Sequence, residues 1–340
     1  MKILLIGGTG TLSTDVTKIC MNEDLYLLNR GRRPLPENIN LIKADINNTE
    51  YLKKELKDQR FDVVVDFLAF SKDRLKAHLS IFKDKCEQFI FISSATVYKQ
   101  TNEIITEETP LFNPSWHYSI RKKECEEFLS HQSDVNYTIV RPYITYGDTR
   151  IPFVFTAKTK QWTLVDRIIR EQPIIVCGGK ITLTHTEDFA KGLFKLFGNK
   201  EAFGKAFHIT SDECFTWKEV AEKIGKIFDK KVTVIHVDPL KIEELCPALK
   251  GEISTDRATM RRFNNDKMKQ FDWECKIPFD VGLRRTIEYY QQNPNMLRID
   301  LDWNRKVDKL IDSVKKENPK PKTKPQSTSL PGGRRYVSKR

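Results

Sequence analysis

Tyr118 and Lys122 lie four residues apart, and Ser94 precedes the tyrosine by 24 residues. On a helix, side chains at i and i+4 share one face. An ammonium beside a phenol lowers the phenol pKa from about 10 toward neutrality, which makes tyrosinate a usable base. A serine hydroxyl at the end of a strand can hydrogen-bond the same substrate oxygen. Such a trio suits removal of a hydroxyl proton as hydride leaves the carbon. A Tyr-x-x-x-Lys pair alone decorates many helix surfaces. Its meaning here comes from the upstream segment Ile92-Ser93-Ser94-Ala95-Thr96-Val97-Tyr98 and from a glycine-rich loop near the N-terminus.

That loop is Gly7-Gly8-Thr9-Gly10-Thr11-Leu12-Ser13, between an opening apolar run and a helical pattern. Glycines at a strand–helix junction let the backbone turn tightly and approach a pyrophosphate, which then sits on the helix N-terminus. Ser13 stands where a third glycine is expected. The second strand should end in an acid when NAD is the ligand, because a carboxylate binds the ribose 2′-OH. Here it runs Leu28-Asn29-Arg30-Gly31-Arg32-Arg33, with no acid. Asn29, Arg30 and Arg32 therefore favour a 2′-phosphate and NADP, with NAD as the alternative. Asp45 and Ile46, past the third strand, are placed to cover the adenine edge.

Elements that could position these groups follow from periodicity. Apolar runs at 2–6, 25–28, 40–43, 62–65, 88–93 and 136–140 alternate with helical patterns at 12–20, 49–56, 72–82 and 116–130. This rhythm predicts an α/β fold, a doubly wound parallel sheet of the Rossmann type. After about Gly147 short strands (173–176, 206–209, 232–236) mix with helices (187–197, 217–228, 278–291). The expected organisation is a dinucleotide-binding domain over 1–147 and a smaller mixed α/β C-terminal substrate lobe over 148–316, interleaved with the first. A basic tail over 317–340, rich in Pro, Lys and Ser, has no apolar periodicity and is expected to be disordered.

Composition narrows the function classes. The chain has 340 residues and a net charge of +12. Residues 315–340 hold nine Lys or Arg against one Glu, so this stretch carries +8 and the rest only +4. Nucleic-acid binding is thus expected, if at all, through the tail. The seven cysteines are scattered with no C-x-x-C, and the six histidines are equally dispersed, so no metal site is expected. Free thiols point to a reducing cytoplasm. The apolar start is too short for a signal segment and nothing is long enough to span a bilayer, so no membrane partner is expected.

These landmarks together resemble the extended short-chain dehydrogenase/reductase family, the NAD-dependent epimerase/dehydratase group acting on nucleotide sugars. The resemblance runs from residue 1 to about 292 through GGTGTLS, SSATVY, EETPLFNPSWHYSIRKKECEE, RPYITYGD and LTHTEDFAKGL. It implies an NAD(P)-dependent epimerase that works by transient oxidation. Tyr118 would be the base, Lys122 would hold the nicotinamide ribose and tune Tyr118, and Ser94 would orient the substrate. Gly7, Thr9, Gly10, Thr11 and Leu12 would line the cofactor, Leu68 and Ala69 would flank it, and Tyr143 would lie near the nicotinamide. It further implies a homodimer through helices 72–82 and 116–130. The pattern departs from the family at Ser13, at Lys99 and at the loop Gly178-Gly179-Lys180. Arg150, Arg261 and Arg262 are candidates for holding a diphosphate. Two other readings compete: an NADPH-exchanging reductase of the same fold, and a non-catalytic RNA-binding or regulatory relative.

Overall fold

Strands covered on both faces read as unbroken apolar runs, and the chain opens with one: Ile3, Leu4, Leu5 and Ile6 are each 0% exposed. The computed structural model describes residues 1–317 apart from Pro34 and Asn38. β1 (Lys2–Ile6) leads through the glycine loop to α1 (Ser13–Ile19). There follow β2 (Asp24–Asn29), β3 (Asn40–Lys43), α2 (Thr49–Glu55), β4 (Phe61–Asp66), α3 (Lys72–Phe82), β5 (Cys86–Ile92), α4 (His117–Ser130) and β6 (Tyr137–Pro142). The later chain contributes β7 (Thr145–Tyr146), α5 (Trp162–Ile169), β8 (Ile174–Val176), β9 (Lys180–Thr182), β10 (Thr184–His185), α6 (Thr186–Lys195) and β11 (Lys205–Ile209). It ends with β12 (Cys214–Thr216), α7 (Trp217–Ile227), β13 (Val234–His236), α8 (Pro239–Leu245), β14 (Met260–Arg261), α9 (Asp266–Lys269), α10 (Phe279–Gln292) and α11 (Leu301–Glu317).

Seven strands form one parallel sheet in the order β11-β6-β5-β4-β1-β2-β3. The doubly wound expectation is met, with one correction. The run at 206–209, read in the smaller lobe, pairs with β6 as a seventh strand, Phe207 opposite Val140. Its own apolar residues, Phe207 and Ile209, are fully buried, and α6 returns the chain to the sheet beside α1. Side chains alternate across the strands. Ile3, Leu5, Val63 and Val65 meet Val16 of α1 and Phe189 and Leu193 of α6. Leu4, Ile6 and Val64 meet Leu75, Leu79 and Phe82 of α3 and Leu129 of α4 on the other side.

A third apolar cluster unites α5, α7, α10 and the short strands of the later chain. The structure adds α11, absent from the elements expected, although Trp303, Val307, Leu310 and Ile311 are spaced for one buried helical face. It docks Trp303 against Phe155 at 5.2 Å, and Arg167 reaches Asp308 at 2.6 Å. From residue 318 the expected tail lies outside the described residues. Among the described residues no helix is long and apolar enough to cross a membrane.

Candidate active site

Parallel sheets place ligands at the carboxyl ends of their strands. A cleft of about 770 Å³ opens there, lined by Gly7, Thr9, Gly10, Thr11 and Leu12 of the glycine loop. Gly7 and Gly8 adopt φ +116 and +80, and a Cβ on Gly8 would meet Leu27 Cδ2 at 2.6 Å. The turn therefore requires glycine. Ser13 does more than fill the place of a third glycine: its Oγ accepts the Gly10 N–H at 2.9 Å and braces the loop. Asn29, Arg30, Arg32, Asp45, Ile46 and Leu68 line the same cleft, as expected from their positions at strand ends. Asp45 is held below the usual carboxylate range, first by Asn47, with Arg30 and Arg32 adding to the effect. The glycine cradle and the arginine-rich rim fit a dinucleotide with its phosphates.

At the inner end of the cleft, Lys122 is 1% exposed. Its Nζ donates to the carbonyls of Ala69 and Ile92, each at 2.8 Å, which leaves one of three N–H bonds for the cleft. Ala69 thus acts through its backbone, holding Lys122. Burial pulls the lysine down to about 8. Tyr118, also lining the cleft, is raised above the ordinary phenol value by desolvation, not lowered toward neutrality as the Tyr–Lys spacing suggests. The groups pulling it back are the Ser94 hydroxyl and the charge of Arg150. The lysine ammonium lies 5.9 Å from the tyrosine ring centroid and is directed to backbone carbonyls, which accounts for the difference.

A second pocket of about 300 Å³ joins the cleft at Thr11, Leu12, Tyr118 and Pro142. Ser94, Thr96, Tyr143, Arg150, Asp256 and Arg257 complete its wall. Ser94 Oγ accepts from the Thr96 hydroxyl at 3.0 Å and the Thr96 N–H at 3.3 Å, so its own proton is free to donate. Tyr143 lies on this wall instead of in the dinucleotide cleft, with its hydroxyl donating to Asp256 Oδ2 at 3.2 Å.

Several supporting groups escape sequence reasoning. Glu126, one turn beyond Lys122, pairs with Arg141 at 2.6 Å and accepts from Ser93, tying α4 to the ends of β5 and β6. His78 and Arg74 of α3 line the dinucleotide cleft, and His78 Nδ1 meets Asp66 at 2.6 Å. Asp256 and Arg257 come from a π-helix at Ile253–Arg257, a local form that recurs at functional sites. No sequence periodicity marks it. Of the diphosphate candidates, Arg150 faces the small pocket, Arg261 is buried in an ion pair with Asp256 at 3.0 Å, and Arg262 is exposed.

Residues 3–209 match the model of the NAD dependent epimerase/dehydratase family. One curated relative is NADH dehydrogenase [ubiquinone] 1 alpha subcomplex subunit 9, mitochondrial, of Dictyostelium discoideum. It is 23% identical over 54% of this chain and 48% of its own length. Another is UDP-glucose 4-epimerase of Lactobacillus helveticus, 25% identical over 43% of this chain and 52% of its own. The chain thus spans about half the length of these relatives. Among solved structures, UDP-glucose 4-epimerase of Thermus thermophilus in complex with NAD superposes with a TM-score of 0.69. It is 15% identical, with coverage of 86% of this chain and 100% of that one.

Proposed function

The chain belongs to the NAD dependent epimerase/dehydratase family, and on that premise we propose that it is an NAD(P)-dependent epimerase acting on a sugar nucleotide. One observation carries this reading: Tyr118 lines both the dinucleotide cleft and the smaller pocket holding Ser94, so one phenol serves both ligands. A similar activity in the Lactobacillus helveticus relative, UDP-glucose 4-epimerase, supports it. The loop from Gly7 to Leu12, with Arg30, Arg32, Asp45 and Ile46, would hold the dinucleotide. The bound dinucleotide supplies the acceptor and later the donor of hydride.

The chain's own part is proton transfer and orientation. Ser94 donates to the reacting hydroxyl oxygen and fixes its direction. Tyr118 takes the hydroxyl proton as the carbon is oxidised and returns it when the carbonyl is reduced from the opposite face. Lys122 keeps its remaining N–H toward the cleft, where a ribose hydroxyl would accept it. Desolvation that raises Tyr118 also strengthens the pull of Arg150 on a developing phenolate. The test is Tyr118→Phe, assayed with UDP-, GDP- and dTDP-sugars. Turnover should vanish while dinucleotide affinity stays within about two-fold. Unchanged turnover would reject Tyr118 as the base.

Arg30 and Arg32 favour one second reading, a reductase that exchanges NADPH with solution. Stoichiometric NADPH consumption in the steady state would select it. A homodimer through α3 and α4 would bring together the exposed charges Lys72, Asp73, Lys76, Arg121, Glu124 and Glu127. Held by such charges, it should dissociate with added salt in light scattering.

A further inference from the structure

Three guanidiniums and two carboxylates crowd one side of the smaller pocket. Arg261 and Asp256, both 0% exposed, pair at 3.0 Å. Arg257, 7% exposed, donates to Glu252 at 2.9 Å, while its Nε is buried without a hydrogen-bond partner. Two cations are thereby matched to two anions. Arg150 is left over: it is half-buried, lines the pocket with Ser94 and Tyr118, and forms no ion pair among the described residues. Loss of water, and after it the like charge of Arg257, pull Arg150 down to about 10, as expected for a cation lacking its counterion. Asp256, the carboxylate on this wall, is already engaged by Arg261 and by the Tyr143 hydroxyl.

A half-buried guanidinium facing another cation favours an anion in the pocket it borders, and its planar fork suits carboxylate or phosphate oxygens. Pocket size restricts where that anion can sit. About 300 Å³ has room for a ring-sized group, and Ser94, Tyr118 and Arg150 border the same space. We propose that Arg150, backed by Arg257, binds an oxyanion that the substrate carries on the ring undergoing reaction, a carboxylate or a phosphate near the hydroxyl held by Ser94 and Tyr118. A neutral hexose would leave Arg150 unpaired. The preferred substrate class is then an acidic sugar. This deepens the sugar-nucleotide reading and rests on it for its main probe.

The experiment is calorimetric titration of the full chain saturated with NAD(H), which keeps phosphate out of the dinucleotide cleft. The probes are UDP-glucuronate, UDP-glucose and inorganic phosphate. UDP-glucuronate should bind at least about ten-fold more tightly than UDP-glucose, the size of one charge-assisted contact. Arg150→Gln should erase that preference and leave dinucleotide affinity unchanged, and Arg150→Lys should retain part of it. Since Arg150 has no protein partner to lose, Arg150→Gln should fold, which its thermal midpoint checks. Equal binding of the two sugars, or a preference that survives in Arg150→Gln, overturns the proposal. Equal weakening of both sugars in the variant would assign Arg150 to the diphosphate and overturn it as well. If neither sugar binds, the sugar-nucleotide reading fails, and phosphate decides the site separately. Binding to the parent but not to Arg150→Gln supports the oxyanion site; no difference rejects it.

Discussion

The Arg141 guanidinium and the Glu126 carboxylate meet at 2.6 Å beneath the helix that presents Tyr118 and Lys122. Both are nearly excluded from solvent, and Arg141 also donates to the Tyr98 hydroxyl at 2.9 Å. Removing one partner of a buried pair leaves the other charge uncompensated, at a cost of about 3–5 kcal/mol. Glu126→Gln should therefore destabilise the fold by that amount in urea unfolding at neutral pH. A loss below about 1 kcal/mol would place the pair among solvent-screened bridges.

Lys122 sets a pH dependence whose sign is fixed by burial. Its folded value of about 8 lies below its ordinary value of 10.5. The folded state thus releases this proton first, and the unfolded chain binds more protons between those two values. Stability contributed by this group rises with pH across that window and is constant below it. Comparing unfolding midpoints from pH 7 to 10.5, the parent should gain on Lys122→Met as pH increases. A constant gap between the two would show that Lys122 titrates normally.

Gly251 links the later chain to the start of α4. It has φ +80, and a Cβ there would stand 2.2 Å from the Ser115 carbonyl oxygen and 3.0 Å from Trp116 Cα. Trp116 directly precedes α4, and its ring lies 5.2 Å from that of Tyr118. Gly251→Ala should push this turn aside and lower kcat by about ten- to a hundred-fold, since small misplacements in a site are expensive. Its cofactor affinity should be nearly unchanged. Equal kcat would show that the turn yields without moving Tyr118.

What could be read from sequence was local. β1 through β6 follow from short apolar runs, and the glycine loop from its place between β1 and α1. Ser94, Tyr118 and Lys122 announce themselves by residue type and spacing. The strand at 206–209 can be read too, but not its place in the main sheet, because pairing of Phe207 with Val140 joins segments far apart in sequence. Arg261 looks like surface charge until its carboxylate partner is known, and Asp256 gains meaning only from the π-helix that turns it to the pocket. The direction of the Tyr118 shift was equally hidden. Spacing puts Lys122 on the correct face, but the carbonyls of Ala69 and Ile92 decide where its ammonium points.

Arg30 and Arg32 are exposed at the cleft rim, where β2 ends without an acid. Each charge-assisted bond to a 2′-phosphate is worth about 1.5–3 kcal/mol, or roughly ten-fold or more in affinity. NADP(H) should bind more tightly than NAD(H) by calorimetry, and the joint replacement Arg30→Ser, Arg32→Ser should remove the difference. Tighter NAD(H) binding by the parent would demote both arginines to solvated charge.

The reaction should conserve mass, with no water lost. Ala95 and Thr96 directly follow Ser94, where dehydratases of this family carry an Asp-Glu pair. Elimination must take a proton from carbon and deliver one to the departing hydroxyl, and such acid and base groups contribute about 10²–10⁴-fold. Ala95 is fully buried and has nothing to donate, while the Thr96 hydroxyl is already given to Ser94 at 3.0 Å. Asp256 is the carboxylate on the pocket wall, yet it is ion-paired with Arg261 at 3.0 Å and its Oδ2 accepts from the Tyr143 hydroxyl. A carboxylate fixed in that way can orient a substrate, but it is poorly placed to shuttle protons between a carbon and a leaving group. Tyr118, as the proposed base, would suffice for taking and returning a hydroxyl proton. Incubation with UDP-glucuronate and UDP-glucose, followed by mass spectrometry and NMR, should yield an isomer of unchanged mass without net cofactor oxidation. Asp256→Asn should alter substrate affinity more than kcat. A product lighter by one water, lost again in Asp256→Asn, would instead make Asp256 the missing acid.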